Sequence, residues 1–156
     1  MSFTWDGLPV APDPPTAVAI VVWRRGSHGR EFLLLHRMAP GGPEYEGDWA
    51  WTPPAGARQP GEPPDAAAAR ELREETSLDL QITPLPEAAP SDSVALYLAQ
   101  APSDAAVGLD EEHDRFEWVP LEDALTRCLP AVVADGLASA AATIVERARE
   151  EDGRSR

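Results

Sequence analysis

Residues 56–78 read GARQPGEPPDAAAARELREETSL. Asp65–Thr76 has the composition of a helix, rich in Ala, Leu, Arg and Glu. Pro63 and Pro64 stand just before it, where a missing N–H costs least. On such a helix Glu71, Glu74 and Glu75 fall at i, i+3 and i+4, so their carboxylates share one face. Like charges so placed repel one another. They also lie toward the helix C-terminus, where the macrodipole disfavours negative charge. A sequence that accepts both penalties points to a cation, and a hard oxygen donor set suits Mg²⁺ or Mn²⁺. The competing reading is a solvated helix face on which Glu serves only as a good helix former. From the triplet alone that reading is the commoner one.

The frame around the triplet changes the balance. Gly56, Glu62, Arg70, Glu71, Leu72, Glu74, Glu75 and Leu78 occupy the spacing G-x5-E-x7-R-E-U-x-E-E-x-G-U, where U is aliphatic. In this the segment resembles the Nudix hydrolases. Six fixed polar or Gly positions, each at roughly 5–10% background, coincide by chance on the order of once in ten million start points. One position departs: Ser77 stands where the family has Gly. A Gly just past a helix supplies φ > 0, so Ser there is expected to cost roughly 1 kcal/mol or to shift the cap.

The resemblance implies hydrolysis of a nucleoside diphosphate linked to some group X. Metal ions would neutralise the phosphates and activate water. Glu71, Glu74 and Glu75 become metal ligands, Glu74 or Glu75 doubling as a catalytic residue. Arg70 is expected to hold Glu62 and orient the segment, a role that suits its planar fork. Gly56 and Glu62 are then structural members of the site. Several family members draw a base or further ligand from a later loop. Asp110-Glu111-Glu112-His113-Asp114 is placed for this, with Glu112 first and Glu111 next; an ordinary solvated loop is the alternative.

Outward from this segment, Ala17–Arg25 is a β-branched run that reads as a buried strand, and Glu31–Met38 as its hairpin partner across the turn Gly26–Arg30. Ala39–Asp48 is a loop, Trp49–Pro54 a short extended piece. Leu78–Leu85, Asp92–Ala99 and Phe116–Val119 are further strands, with Pro102–Asp114 a polar loop between the last two. Leu121–Cys128 and Pro130–Glu151 are helices. This order predicts an α/β fold with a mixed, partly antiparallel sheet between helices, which fits the α/β/α sandwich that the resemblance implies. Residues 1–15 are expected to be an extended Pro-rich lead-in draped on the surface, residues 16–150 a single Nudix-type domain, and residues 151–156 a polar tail.

The chain has 156 residues, 27 acids and 13 basic residues, all Arg, for a formal net charge of −14. That balance argues against nucleic-acid or anionic-membrane partners. Residues 86–123 hold ten acids and one Arg, while 56–78 hold five acids and three Arg. The excess therefore sits around the late loops, not on the carboxylate helix, and a phosphate compound would be met through divalent cations. The single Cys128 excludes an internal disulfide and reads as a small core residue. No apolar run approaches a membrane span and the N-terminus is not a signal peptide, so a cytoplasmic location is the default. A homodimer stays open: several Nudix enzymes are dimers, but no apolar stripe demands one.

The identity of X lies outside the box. Trp51-Thr52-Pro53-Pro54-Ala55-Gly56 and Glu112-His113…Phe116-Glu117-Trp118 resemble the W-T-P-P-K-G and Glu-His…aromatic-x-Trp stretches of asymmetric diadenosine tetraphosphate hydrolases. Ala55 replaces the Lys of that group, so an Arg or a metal would have to serve the polyphosphate, with Arg58 and Arg37 the nearby candidates. A small-molecule dinucleoside polyphosphate is the leading substrate, ahead of ADP-ribose-like sugars and nucleoside triphosphates. A nucleotide-binding regulatory module that has lost catalysis is the reading of a different class; the intact carboxylate triplet favours the enzyme. Trp49 and Trp51 alternate on an extended segment, so one can stack on a base while the other packs in the core, and Trp51 is the candidate substrate contact. Tyr97 is a candidate cleft-lining residue. His113, beside Glu112, is a candidate to assist binding, an exposed loop His being the commoner case, and His28 and His36 have no evident partners in sequence. Trp118 reads as core.

Overall fold

The computed structural model describes residues 2–4, 6–38, 41–89 and 91–154. Met1 and Trp5 of the expected lead-in, Ala39 and Pro40 of the loop after the hairpin, and Ser155 and Arg156 of the expected tail lie outside the described residues.

Strands β1 (Ala17–Gly26) and β2 (Gly29–Arg37) form an antiparallel hairpin with Trp23 opposite Phe32. Beyond that pair they part, and a wedge enters between them: β3 (Trp51–Thr52) pairs with Leu35 and His36, and β4 (Ala55–Ala57) pairs with Ala17–Ala19. The wedge carries the chain straight into helix α1 (Pro64–Thr76). β5 (Ile82–Pro84) and β6 (Val94–Gln100) follow, with β6 parallel to β1 over Ala17–Trp23. β7 (His113–Val119) runs antiparallel along β2. Helices α2 (Leu121–Arg127) and α3 (Ala131–Arg154) complete the chain.

The sheet has seven strands and two covered faces. Val18, Ile20 and Val22 of β1 pack with Ala67, Ala68 and Leu72 of α1, while Val21 and Trp23 pack with Leu137, Ala140 and Ile144 of α3. A strand buried on both faces must be apolar at every position, which is why Ala17–Val22 lacks alternation. The result is the α/β/α sandwich with a mixed sheet. Cys128 is fully buried, and burial pushes its thiol up to about 12.

Several boundaries differ from the sequence reading. The strand expected over Leu78–Leu85 is reduced to Ile82–Pro84, because the Leu78 N–H is taken by Thr76 Oγ1 and pairing with β6 starts only at Ile82–Ala99. The loop expected to end at Asp114 ends earlier, since His113 pairs with Arg37. β4 and the 3₁₀ turn Pro86–Ala88 are additional elements. α3 continues through Arg154 into the segment expected to be a tail.

Ser77 keeps the cap geometry of the Gly it replaces: φ is 62°, and its N–H bonds Arg73 O at 2.9 Å. Its hydroxyl donates to Gly108 O at 2.9 Å, and the Gly108 N–H returns to Thr76 O at 2.9 Å. The side chain thus offsets its own backbone strain by tying the loop before β7 to the end of α1. Ser77→Ala, which keeps the strain and loses the tie, is expected to destabilise the fold by about 1 kcal/mol, and Ser77→Gly to be near neutral. Urea unfolding of the two variants distinguishes these outcomes.

Candidate active site

Three elements meet at the site: the carboxylate face of α1, the β4 edge that leads into it, and the segment 110–113 entering β7. Glu75 is 2% exposed. Its Oε1 accepts the Ala55 N–H at 2.9 Å, while its Oε2 is buried without a hydrogen-bond partner among the described residues. Ligand atoms of Glu75, Asp110, Glu112 and His113 all lie within 4.8 Å of one another. Glu71 is close enough to Glu112 and Glu74 to feel both charges. Gly at position 56 leaves room for the Glu71 carboxyl group, which a Cβ there would displace.

Arg70 is the hub of the arrangement. Its Nε and Nη2 bind the two oxygens of Glu62 at 2.8 and 2.9 Å, Nη2 also reaches Ala57 O at 3.0 Å, and Nη1 reaches Glu71 at 2.8 Å and Glu74 at 3.2 Å. One guanidinium therefore joins α1, β4 and the intervening loop.

The electrostatics are those of a site built for positive charge. Burial pushes the Glu71 carboxyl up to about 7 despite the opposing Arg70, with Glu74 and Glu112 adding to the rise. Burial also raises Glu75 well above the ordinary carboxylate range, the Ala55 N–H opposing and Glu71 and Asp110 reinforcing. An orphaned buried oxygen and carboxylates that repel in a desolvated cluster are what a hard divalent cation satisfies. Glu71, Glu74, Glu75, Asp110, Glu112 and His113 are the residues present to hold one.

A stability consequence follows with a definite sign. A carboxylate whose folded pKa exceeds its unfolded value binds protons more tightly in the fold, so its favourable contribution is lost as pH rises from 4.5 through about 7. Glu62, held low by its hydrogen bonds to Arg70, acts oppositely and only at lower pH. The protein in EDTA is therefore expected to melt at a higher temperature near pH 5.5 than near pH 8. Mg²⁺ should raise the melting temperature at pH 8 and have little effect at pH 5.5. A calorimetric Tm in EDTA that is independent of pH would contradict this.

The cleft onto which Glu71, Glu74 and Glu112 open has a volume of about 650 Å³. Glu71, Glu74, Glu112, Arg70 and Arg37 line its charged part; Leu96, Val133, Gly136 and Leu137 line an apolar part. Arg37 contributes a guanidinium whose buried Nε has no partner among the described residues.

The sequence candidates divide accordingly. Arg58 is only 4% exposed and spends its guanidinium on Pro15 O, Asp13 O and Glu62 O at 2.6–2.8 Å, so it is not available to a polyphosphate. Trp51 is buried against His36, with its indole N–H on Glu46 at 2.6 Å. The indole that lines the cleft is Trp49, 48% exposed. The expected alternation fails there because Trp49 has φ 67° and is not extended. Tyr97 faces α1 and donates to Asp65 at 2.6 Å, so Leu96, on the opposite face of β6, lines the cleft instead. Glu111 is exposed and outside the carboxylate cluster, which Asp110 joins.

His113 is buried rather than exposed, with Nδ1 2.8 Å from Asp110. His36 does have partners: Nδ1 lies 2.6 Å from Asp114 and Nε2 2.6 Å from Tyr45 O. Trp118 is half-buried beside the α1-side core, with the Arg24 guanidinium 4.3 Å above its ring. The sequence offers Asp110 and His113 as members of the acidic stretch 110–114, behind Glu112 and Glu111, and the fold brings both to Glu75.

Comparison with known proteins places the chain in a family. The NUDIX domain family matches residues 13–141. This chain is 38% identical over 128 residues to an octanoyltransferase of Myxococcus xanthus, covering 75% of this chain but only 34% of that protein. It is 34% identical over 119 residues to the asymmetrical bis(5'-nucleosyl)-tetraphosphatase of Caenorhabditis elegans, covering 70% of this chain and 81% of that one. The structure of a C. elegans Ap4A hydrolase binary complex superposes with a TM-score of 0.67 at 29% identity, covering 83% of this chain and 97% of that chain. The chain belongs to the NUDIX domain family, a class of hydrolases acting on phosphoanhydride bonds. Among the described residues no helix is long and apolar enough to cross a membrane.

Proposed function

We propose that this chain is a divalent-metal-dependent pyrophosphohydrolase that cleaves a nucleoside diphosphate linked to a second moiety, with a dinucleoside polyphosphate as substrate. The observation that carries the reading is Glu75: buried, one oxygen without a partner among the described residues, and facing Asp110, Glu112 and His113. Such a cluster is costly unless a cation completes it. A bound Mg²⁺ or Mn²⁺ would screen the phosphates and acidify water. The substrate assignment draws on the bis(5'-nucleosyl)-tetraphosphatase similarity and on the Trp51–Gly56 segment.

The protein's own groups divide the remaining work. Arg70 fixes Glu62, Glu71 and Glu74 in one frame. Arg37 supplies positive charge on the cleft wall where Ala55 offers none. Glu112, anchored where its carbonyl accepts the Met38 N–H at 2.9 Å, lines the cleft and takes the proton of the attacking water. The new bond joins water oxygen to phosphorus, the bridging P–O bond breaks, and the departing phosphate carries the electron pair. Trp49 offers its exposed indole to a base.

The test is phosphate or nucleotide release from a panel of dinucleoside polyphosphates, nucleoside diphosphate sugars and nucleoside triphosphates, in Mg²⁺, Mn²⁺ or EDTA. Turnover only with metal, fastest on a dinucleoside polyphosphate, is expected. No turnover of any conjugate with either metal would leave the binding-module reading in its place.

A further inference from the structure

The segment before β1 is part of the cleft. Leu8, Pro9 and Val10 line the same cavity as Glu71 and Glu112, although the family match begins only at residue 13. The segment is ordered by its own bonds. The Thr4 N–H donates to Leu8 O at 2.8 Å, the Leu8 N–H to Thr4 Oγ1 at 3.0 Å, and the Val10 N–H to Ser2 O at 2.9 Å. Gly7, with φ 85°, turns the chain between them.

Arg58 fastens the stretch that follows this small hairpin, residues 11–16, to the box. Its carbonyl accepts the Ala11 N–H at 2.7 Å, its N–H donates to Thr16 O at 2.9 Å, and its guanidinium binds the Asp13 and Pro15 carbonyls and, at 2.8 Å, the Asp13 carboxylate. A nearly fully buried guanidinium satisfied in this way is a positional device. It holds residues 11–16 against the loop that leads into α1.

The chemistry of this wall is opposite to that of the metal-binding end. Leu8 is 50% exposed and Val132, from α3, is also exposed, yet both line the cavity. Asp6 also lines the cavity, with its Oδ1 accepting the Thr4 hydroxyl and its other oxygen left to a ligand. A carboxylate there repels phosphate but accepts a hydrogen bond from an exocyclic amine, so the ligand that fits is a flat, uncharged, amine-bearing ring. We propose that Thr4–Val10 is a specificity element of this chain, with Leu8, Pro9 and Val10 packing on the nucleobase of the group beyond the scissile diphosphate. The inference rests on the pyrophosphohydrolase reading and deepens it by assigning the recognition of X to a segment outside the family match.

The test is steady-state kinetics of the full chain on whichever conjugate the wild type turns over fastest. Leu8→Asp should raise KM about tenfold with kcat within about twofold, because a Leu–base contact contributes to binding and not to the reacting atoms. Leu8→Ala, harmless to a half-exposed turn, should raise KM in the same direction by a smaller factor. Phe3→Asp is the control: Phe3 is 60% exposed on the same hairpin and does not line the cavity, so its kinetics should match the wild type. Unchanged KM in both Leu8 variants, or equal effects of Leu8→Asp and Phe3→Asp, would overturn the wall and leave the hydrolase standing. A wild type inert toward every conjugate would overturn both.

Discussion

Glu75→Gln is expected to lower kcat by on the order of 10³ while making the metal-free protein more stable. The two effects have one cause. Gln keeps an oxygen to accept the Ala55 N–H, so the local fold is preserved. It removes the negative charge that burial, Glu71 and Asp110 all disfavour, so in EDTA the variant should melt above the wild type at pH 8. The same charge is what the cluster with Asp110, Glu112 and His113 contributes toward a divalent cation, and its loss removes transition-state charge neutralisation. Side-by-side melting curves and single-turnover rates measure both. A Glu75→Gln enzyme of near-normal kcat would show that the metal site is misassigned.

Arg70→Ala is expected to cost about 2–4 kcal/mol of stability and to lower activity by at least about a hundredfold. Removing the guanidinium leaves Glu62 and Glu71, both mostly buried, without their counter-charge, and frees Ala57 O. Arg70→Lys should recover part of the stability but little of the activity. A point charge can neutralise the cluster, but it cannot hold both oxygens of Glu62 and reach Ala57 O at once. Urea unfolding separates the two variants. Full activity in Arg70→Lys would mean that only the charge matters, not the fork.

The carboxylate helix was legible because its signals are local. Helix propensity, the prolines before Asp65 and the i, i+3, i+4 spacing all lie within one short stretch, and α1 spans Pro64–Thr76. The hairpin β1–β2 was legible for the same reason. The short edge strand β4 was not: Ala55-Gly56-Ala57 has no strand propensity, and it pairs only because β1 and β2 splay to admit it. Phase along a strand was also hidden. Tyr97 and Leu96 alternate in the sequence either way, and only the packing of α1 on one face and α3 on the other decides which of them meets the cleft.

Charge behaved similarly. Arg58 and Arg37 look alike in the sequence, each an Arg near the box or a strand end. Burial separates them, since one guanidinium is consumed by carbonyls of the N-terminal segment while the other lines the cleft. A sequence states residue types and spacings along one dimension. From these follow the family box, the donor chemistry of Glu71, Glu74 and Glu75, and the alternation of buried and covered elements. Which distant groups join that box depends on long-range pairing that no local pattern encodes. Asp110 and His113 reach Glu75 because β7 pairs with β2 and draws residues 110–113 alongside α1. Leu8 reaches the cleft on a hairpin closed by its bonds to Thr4, and the stretch after that hairpin is tied to the box by Arg58. The carboxylates of α1 are therefore written in contiguous residues, whereas the loop groups that join them and the walls of the cleft are brought together by packing.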